Sequence, residues 1–589
     1  MKELFKIYLR VYQKKHLLFS IMAILFLVLD VLIALVIPSI TKEIFNEINS
    51  GRNNLNYVFE VGILVVGIAL VAVVTTVMNN IFTQRISTRI TSELREDLFK
   101  KIQELSFTNI DEITTGSLIT IVSNDTVQIQ HIIRMSFRAI LRSPLTLVGA
   151  IFMAFLVNKQ LFVIILVIVP ILAFFIILII KKASSAFLLM QKRIDDLNTK
   201  LNETVSGARE IKAFVTEQEE ISRFDIVNEN YSNAIIDAFK KIANIDPLII
   251  LISNIGIGAV LIFASYLVTT LTGEPRTEMV GTISAYISYL QQIIMSLMML
   301  SMVAVQLSRG AISSQRIQKV LNTEASIKNI EKPIMSHDFV GRIEYSNVSF
   351  GYSGNHIEDK GLTLKNISFV IEPKSTVGII GSTGSGKTTL MQLLPRLYDV
   401  TSGAIYIDGI DIRNFDLIYL RKQISYVTQE PVIFSGTVAD NIKQGNEDAG
   451  LDNMATAAKL AVADEFIYKM DKEFDNVVSQ GGTNLSGGQR QRLSLARALV
   501  REPNILILDD STSAVDAKSE VKIRDNVYNS KNHTTIIIAQ KISSIRNCDK
   551  IIVLNNSGHL DGYGSHEYLM AKSEVYREIY ASQFGGSDE

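Results

Sequence analysis

A chain of 589 residues with a net charge of −1 shows no basic footprint for nucleic acid. Its single cysteine, Cys548, excludes an intramolecular disulfide framework and zinc clusters built on paired thiols, and suits a reducing compartment. Hydrophobic residues make up 48% and charged residues 20%, so distribution informs more than totals. Apolar stretches long enough to span a bilayer are confined to roughly the first 310 residues, and the remainder patterns as a mixed α/β domain.

The chain does not open as a secretory signal. After Lys14-Lys15 the apolar run from Leu17 to Ile40 is too long for a signal core, and no small-residue cleavage site follows. It is the first of six predicted spans: 17–40, 57–83, 137–157, 160–180, 247–271 and 279–306. The segments after the second (84–136) and fourth (181–246) are long, polar and helix-patterned. They carry Arg85, Arg89, Arg95, Arg134, Lys181, Lys182, Lys192 and Arg193. With Lys2, Lys6, Arg10, Lys14 and Lys15 beside the first span, this excess places both long segments and both termini in the cytoplasm.

A helical hairpin of about 50 residues extends ~35 Å from the membrane. Turn and capping residues at Ile113–Leu118 and Gly207–Ile211 mark the tips of two such hairpins. Asp30 is the acidic group deepest in the apolar spans, and the cost of its charge there assigns it to the bundle interior or a water-filled cavity. It either attracts cationic substrate or pairs with a partner subunit. The sixth span carries Gln291, Gln292, Met295, Met298, Met299 and Met302, a set suited to repacking around varied apolar ligands.

The boundaries read as a membrane domain over 1–310, a linker over 311–340 and an α/β domain over 341–589. Ile343–Phe350 alternates as a strand, and Asp408-Gly409 marks a tight hairpin. Next comes Gly381-Ser382-Thr383-Gly384-Ser385-Gly386-Lys387-Thr388-Thr389, between a strand over 376–380 and a helix from Lys387. This is the phosphate-binding Walker A loop in its required setting: backbone N–H groups wrap phosphates and Lys387 reaches the β- and γ-phosphates. Thr388 binds Mg²⁺, and Asp509, ending the strand from Ile505, joins it through a water.

Leu485-Ser486-Gly487-Gly488-Gln489 opens a helix just upstream of that strand. With Tyr352, Gln429, Ser513–Asp516 and the six-span layout, it resembles an exporter-type half-transporter of the ABC transporter superfamily. The resemblance covers essentially the whole chain. It implies a multidomain membrane protein: six transmembrane helices with long cytoplasmic extensions, followed by an α/β P-loop nucleotide-binding domain in the cytoplasm. It further implies that Tyr352 stacks on adenine and that Gln429 contacts Mg²⁺. Two cassettes would close head to tail, Ser486, Gly487, Gly488 and Gln489 of one facing the ATP of the other, with Asp516 in the D-loop between them.

Three positions depart from the family pattern. Asp510 stands where a glutamate polarises the attacking water, Gln540 where a histidine contacts the γ-phosphate, and Gln480 where a glutamate signals to the membrane helices. Asp510 is one methylene short, and a displacement of about 1 Å can cost ~100-fold in rate. Gln540 can hydrogen-bond but carries no positive charge. The binding parts are kept and the turnover parts changed, which resembles the degenerate-site subunit of bacterial heterodimeric multidrug exporters. The expectation is a plasma-membrane subunit that pairs with a non-identical half-transporter, binds ATP and Mg²⁺, and moves hydrophobic small molecules. Lipid or peptide export, or a nucleotide-gated regulatory subunit that moves nothing, are the alternatives. The roughly 15 residues ahead of the first span lower the odds of a leader-peptide exporter.

Overall fold

The computed structural model describes residues 14–49, 55–270, 278–352, 361–528 and 532–584, so Lys2, Lys6 and Arg10 lie outside it. Two compact units divide the chain: 1–103 with 115–323, and 104–114 with 324–589.

The first unit is helical. Six of its helical stretches are long and apolar enough to cross a membrane: His16–Asn49, Leu55–Glu104, Thr115–Val157, Phe162–Ser206, Glu217–Thr269 and Met279–Leu300. Each contains the corresponding predicted span or nearly all of it. Leu55–Glu104 has 50 residues, about 75 Å of helix where ~30 Å crosses hydrocarbon, so the polar extensions continue the spans without a break. Tyr286, Tyr289, Leu290 and Ile293 are fully buried at the centre of the unit, while residues such as Leu18, Phe59, Leu166 and Ile262 face outward, as lipid contact requires. Gly281 permits close helix approach: a Cβ there would lie 2.2 Å from the Lys42 carbonyl oxygen, and its N–H donates to Asn46 Oδ1 at 3.0 Å. The last helix of this unit, Met279–Asn322, runs on into the expected linker as far as residue 322.

The second unit holds two main sheets. The antiparallel one orders Leu364–Ile371, Ile343–Phe350, Ser402–Ile407 and Ile410–Asp411. Its hairpin turns at Asp408 and Gly409, both with positive φ (51° and 81°), as the Asp-Gly pair predicts. The other sheet runs Leu560–Gly564, Lys550–Leu554, Thr376–Gly381, Thr534–Ile538, Ile505–Asp509, Ile424–Val427, parallel except at the first pair. Every residue of Ile505–Asp509 and Thr534–Ile538 is buried: Leu506, Leu508 and Ile537 pack in one core with helix residues such as Leu493, and Ile505, Ile507, Ile536 and Ile538 in another that includes the antiparallel sheet. The carboxyl ends of these strands carry the functional loops.

The segment 104–114 belongs to this unit rather than to the membrane helices. Its helix Phe107–Ile113 sets Asp111 to accept from the Tyr398 hydroxyl at 2.6 Å and packs Phe107 against the Tyr398 ring. Thr114, with φ of 69°, ends it. The stretch Thr115–Asp125 that follows is part of the membrane unit. Leu118, Ile121 and Asp125 are buried within that unit, where Asp125 accepts from Ser313 of the last helix at 2.7 Å. The second hairpin bends near Gly207 and again at Val215, φ 54°.

Candidate nucleotide site

The strand Thr376–Gly381 delivers the glycine-rich loop. At its end a side chain has no room: a Cβ on Gly381 would lie 2.5 Å from the Leu554 carbonyl oxygen. Gly384 and Gly386 hold φ of 83° and 91°, the left-handed region that a side chain resists, and Gly386 precedes the helix Lys387–Gln392. Thr383 is exposed at the loop tip, and the Ser382 hydroxyl bonds to Asn556. The Ser385 hydroxyl is buried and lacks a hydrogen-bond partner among the described residues, a donor suited to a phosphate oxygen. Lys387 Nζ donates to the carbonyls of Gly381 (3.0 Å) and Ser382 (2.8 Å), which keeps it over the loop. Burial lowers its pKa, opposed by the charges of Asp509 and Asp510.

Asp509 is held from two sides. Thr388 Oγ1 donates to one carboxylate oxygen at 3.2 Å and Tyr426 Oη to the other at 2.9 Å. Burial pushes its carboxyl above the usual aspartate range, and the two hydroxyls pull it part of the way back. Hydroxyl and carboxylate oxygens so placed are the hard donor set that Mg²⁺ prefers, so Thr388 and Asp509 fit the metal the family implies. Gln429 is exposed two residues past Ile424–Val427, the strand that pairs with Ile505–Asp509. The Tyr352 ring is 46% exposed and packs edge-on against Phe350 and Tyr398, so it can offer a surface to a base. Its hydroxyl lies 2.8 Å from Thr389 Oγ1.

The two altered positions meet each other. Asp510 sits at φ 46°, an uncommon setting for a side-chain-bearing residue, and its N–H donates to the Ile538 carbonyl at 2.9 Å. Its carboxylate accepts from Gln540 Nε2 at 3.0 Å. Burial, then the neighbouring Asp509 charge, raise its pKa. Strand register explains the meeting: Ile538 pairs with Asp509, so residues just past the two strand ends emerge side by side.

The signature lies apart from this loop. Ser486 and Gln489 form a capping box, Gln489 Oε1 accepting from the Ser486 N–H at 2.8 Å and Ser486 Oγ from the Gln489 N–H at 3.3 Å. None of their hydrogen bonds reaches Gly381–Thr389. Gly488 must be small, since a Cβ would lie 2.9 Å from the Ala514 carbonyl oxygen. Gln491 then ties this helix to the D-loop, accepting from the Ala514 N–H at 3.0 Å. In that loop Asp516 caps the next helix through the Ser519 N–H at 3.0 Å, which with the Ser519 hydroxyl lowers its pKa. Gln480 is exposed in the turn Gln480–Gly482. Sequence reasoning missed Tyr426 and Gln491. Tyr426 lies three residues before Gln429 and Gln491 two after Gln489, but only pairing of distant segments gives them partners.

Within the membrane unit, a cavity of about 1190 Å³ is lined by residues that include Arg142, Asn254, Gln291, Gln292, Met295 and Met299. Met298 also lines it, whereas the Met302 side chain lies outside the described residues. Asp30 does not line it. Arg142 Nη2 lies 2.9 Å from one Asp30 oxygen and Thr76 Oγ1 donates to the other at 2.7 Å. Asp30 thus stands one contact behind the cavity, its charge met by an arginine that lines it, as a buried carboxylate demands.

Comparison with known proteins agrees with this geometry. The ABC transporter transmembrane region model matches residues 20–297, and the ABC transporter model matches 364–513. An uncharacterized ABC transporter ATP-binding protein of Bacillus subtilis, YfiB, is 36% identical over 97% of this chain and 97% of its own length. An ATP-dependent lipid A-core flippase of Syntrophus aciditrophicus is 32% identical over 85% of this chain and 81% of its own. The structure of a bacterial Atm1-family ABC exporter with ATP bound superposes with a TM-score of 0.81 at 25% identity, over 97% of this chain and 99% of that one. The chain belongs to the ABC transporter family, as an exporter-type half-transporter with one membrane region and one ATPase cassette.

Proposed function

We propose that this chain is one subunit of a heterodimeric exporter of hydrophobic or amphipathic compounds, multiple drugs among them, whose own site binds Mg²⁺–ATP and cleaves it poorly. The observation that carries this is the pairing of Gln540 with Asp510 beside an otherwise complete binding set. Lys387, Ser385 and the loop backbone would hold the phosphates, Thr388, Asp509 and Gln429 would hold Mg²⁺, and Tyr352 would take the base. Bound Mg²⁺ neutralises phosphate charge. The Gln540 amide occupies one Asp510 oxygen and supplies no positive charge, and the shorter reach of the carboxylate adds to the cost of taking a proton from water. Ser486–Gln489, intact, would complete the catalytic site of a non-identical partner. The cassette and both long helical extensions lie in the cytoplasm in this reading.

Purified alone, the chain is expected to bind ATP with near one-to-one stoichiometry and show no sustained turnover. Turnover should appear when the partner half-transporter is added. Self-association with ordinary ATPase rates would count against the heterodimer.

Lipid export is the second reading. It is favoured by two relatives named ATP-dependent lipid A-core flippase, at 32% and 30% identity, and by the Arg142 guanidinium, 39% exposed beside the cavity. Reconstituted vesicles that flip a fluorescent lipid but accumulate no cationic dye would favour it over drug export.

A further inference from the structure

Outside the known motifs, one side chain grips the switch segment from both ends. Gln583 lies in the last described helix, Glu574–Phe584. Its Nε2 donates to the Gln540 carbonyl at 2.8 Å, and its Oε1 accepts from the Ile542 N–H at 2.8 Å. A single planar amide closes over Gln540-Lys541-Ile542 as a neighbouring strand would. It satisfies a donor and an acceptor that the chain presents as it leaves the strand Thr534–Ile538.

The grip has a firm base. Tyr576, in the first turns of that helix, is fully buried, with its hydroxyl 2.8 Å from His566 Nδ1. Ile579 and Tyr580 pack on the core that contains Ile542 and Ile545, directly after the switch segment. Gln583 itself is exposed, so its two hydrogen bonds, not packing, are what it contributes.

We infer that Gln583 is a positioning residue for the switch: it fixes the backbone at Gln540 so that the Gln540 amide reaches Asp510, and thereby sets how the site distinguishes ATP from ADP. The path is continuous, from Gln583 to the Gln540 carbonyl, and from Gln540 Nε2 to Asp510 Oδ2 at 3.0 Å. It rests on the ATP binding proposed above and on Gln540 sensing the γ-phosphate from the position of the family's histidine.

The test uses the full-length chain in nanodiscs with Mg²⁺, measuring ATP and ADP affinities by displacement of a fluorescent nucleotide. Gln540→Ala, Gln583→Ala and Gln583→Glu are compared with the unmodified protein. Gln583→Glu keeps the shape and the acceptor for Ile542 but turns a carboxylate oxygen toward the Gln540 carbonyl. The ATP-to-ADP affinity ratio is expected to shift about 3–10-fold in Gln540→Ala and in both Gln583 variants, the range set by one or two net hydrogen bonds. ADP affinity should stay close to the original, which verifies folding. A shift in Gln540→Ala with none in either Gln583 variant overturns the positioning role while sparing the switch. Rescue by Gln583→Glu also overturns it, since that change keeps the shape and the Ile542 bond but removes the donor to the Gln540 carbonyl on which the positioning role rests. An unshifted ratio in Gln540→Ala removes the switch reading and the role of Gln583 with it.

Discussion

The phosphate- and metal-binding half of the nucleotide site and its turnover half emerge from the ends of the same parallel strands, yet they are held differently. Asp509 takes hydroxyls from two separate segments, Thr388 after the glycine-rich loop and Tyr426 on the neighbouring strand. Lys387 is fixed by two carbonyls of its own loop. Across the site, Asp510 and Gln540 hold each other, and Gln540 is steadied from behind by Gln583. The binding groups are thus arranged to meet a ligand, and the turnover groups are arranged to satisfy one another. The Lys387, Thr388 and Asp509 bonds and the Asp510, Gln540 and Gln583 bonds thus form two separate sets.

Separability can be broken from the binding side first. Lys387→Ala removes the charge that meets the phosphates and should weaken ATP binding about 10–100-fold by calorimetry, the range for charge-assisted hydrogen bonds. An affinity within twofold of the original would mean that the glycine-rich loop is not the site.

Tyr426→Phe sharpens the contrast more gently. It strips one donor from Asp509 and should weaken Mg²⁺-dependent ATP binding about 3–10-fold at neutral pH. The sign of its pH dependence follows from burial. The Asp509 pKa is raised in the fold and the Tyr426 bond lowers it. Metal binding uses the ionised carboxylate, so affinity is full above the raised pKa and falls as the pH drops through it. Loss of the Tyr426 hydroxyl raises that pKa further, and the acid loss should begin nearer neutrality. A pH titration with an unmoved midpoint would separate Tyr426 from the metal site.

The smallest effect is expected on the turnover side. In the proposed heterodimer, Asp510→Ala should leave ATPase activity within about threefold, because on that reading a carboxylate one methylene short has little catalysis left to lose. Abolition of activity by that change would return Asp510 to the role of working base.

Much of this was legible in the residues. Walker A, the signature and the Asp-Gly hairpin are short contiguous patterns whose chemistry depends on near neighbours, and the six spans announce themselves by length. Within the membrane unit the ion pair of Asp30 was not legible: its partner Arg142 lies on another helix, and helix packing decides that pairing. Tyr426 and Gln583 were invisible for the same reason. Each acts on a residue far along the chain, through strand register in one case and a terminal helix in the other.

The decisive measurement is a single-turnover assay on the purified chain alone, loaded with labelled ATP and Mg²⁺ and quenched in acid over time. Bound nucleotide recovered as intact ATP, with cleavage appearing only when the partner subunit is supplied, is the predicted result. Rapid conversion of that bound ATP to ADP by the chain alone would contradict it.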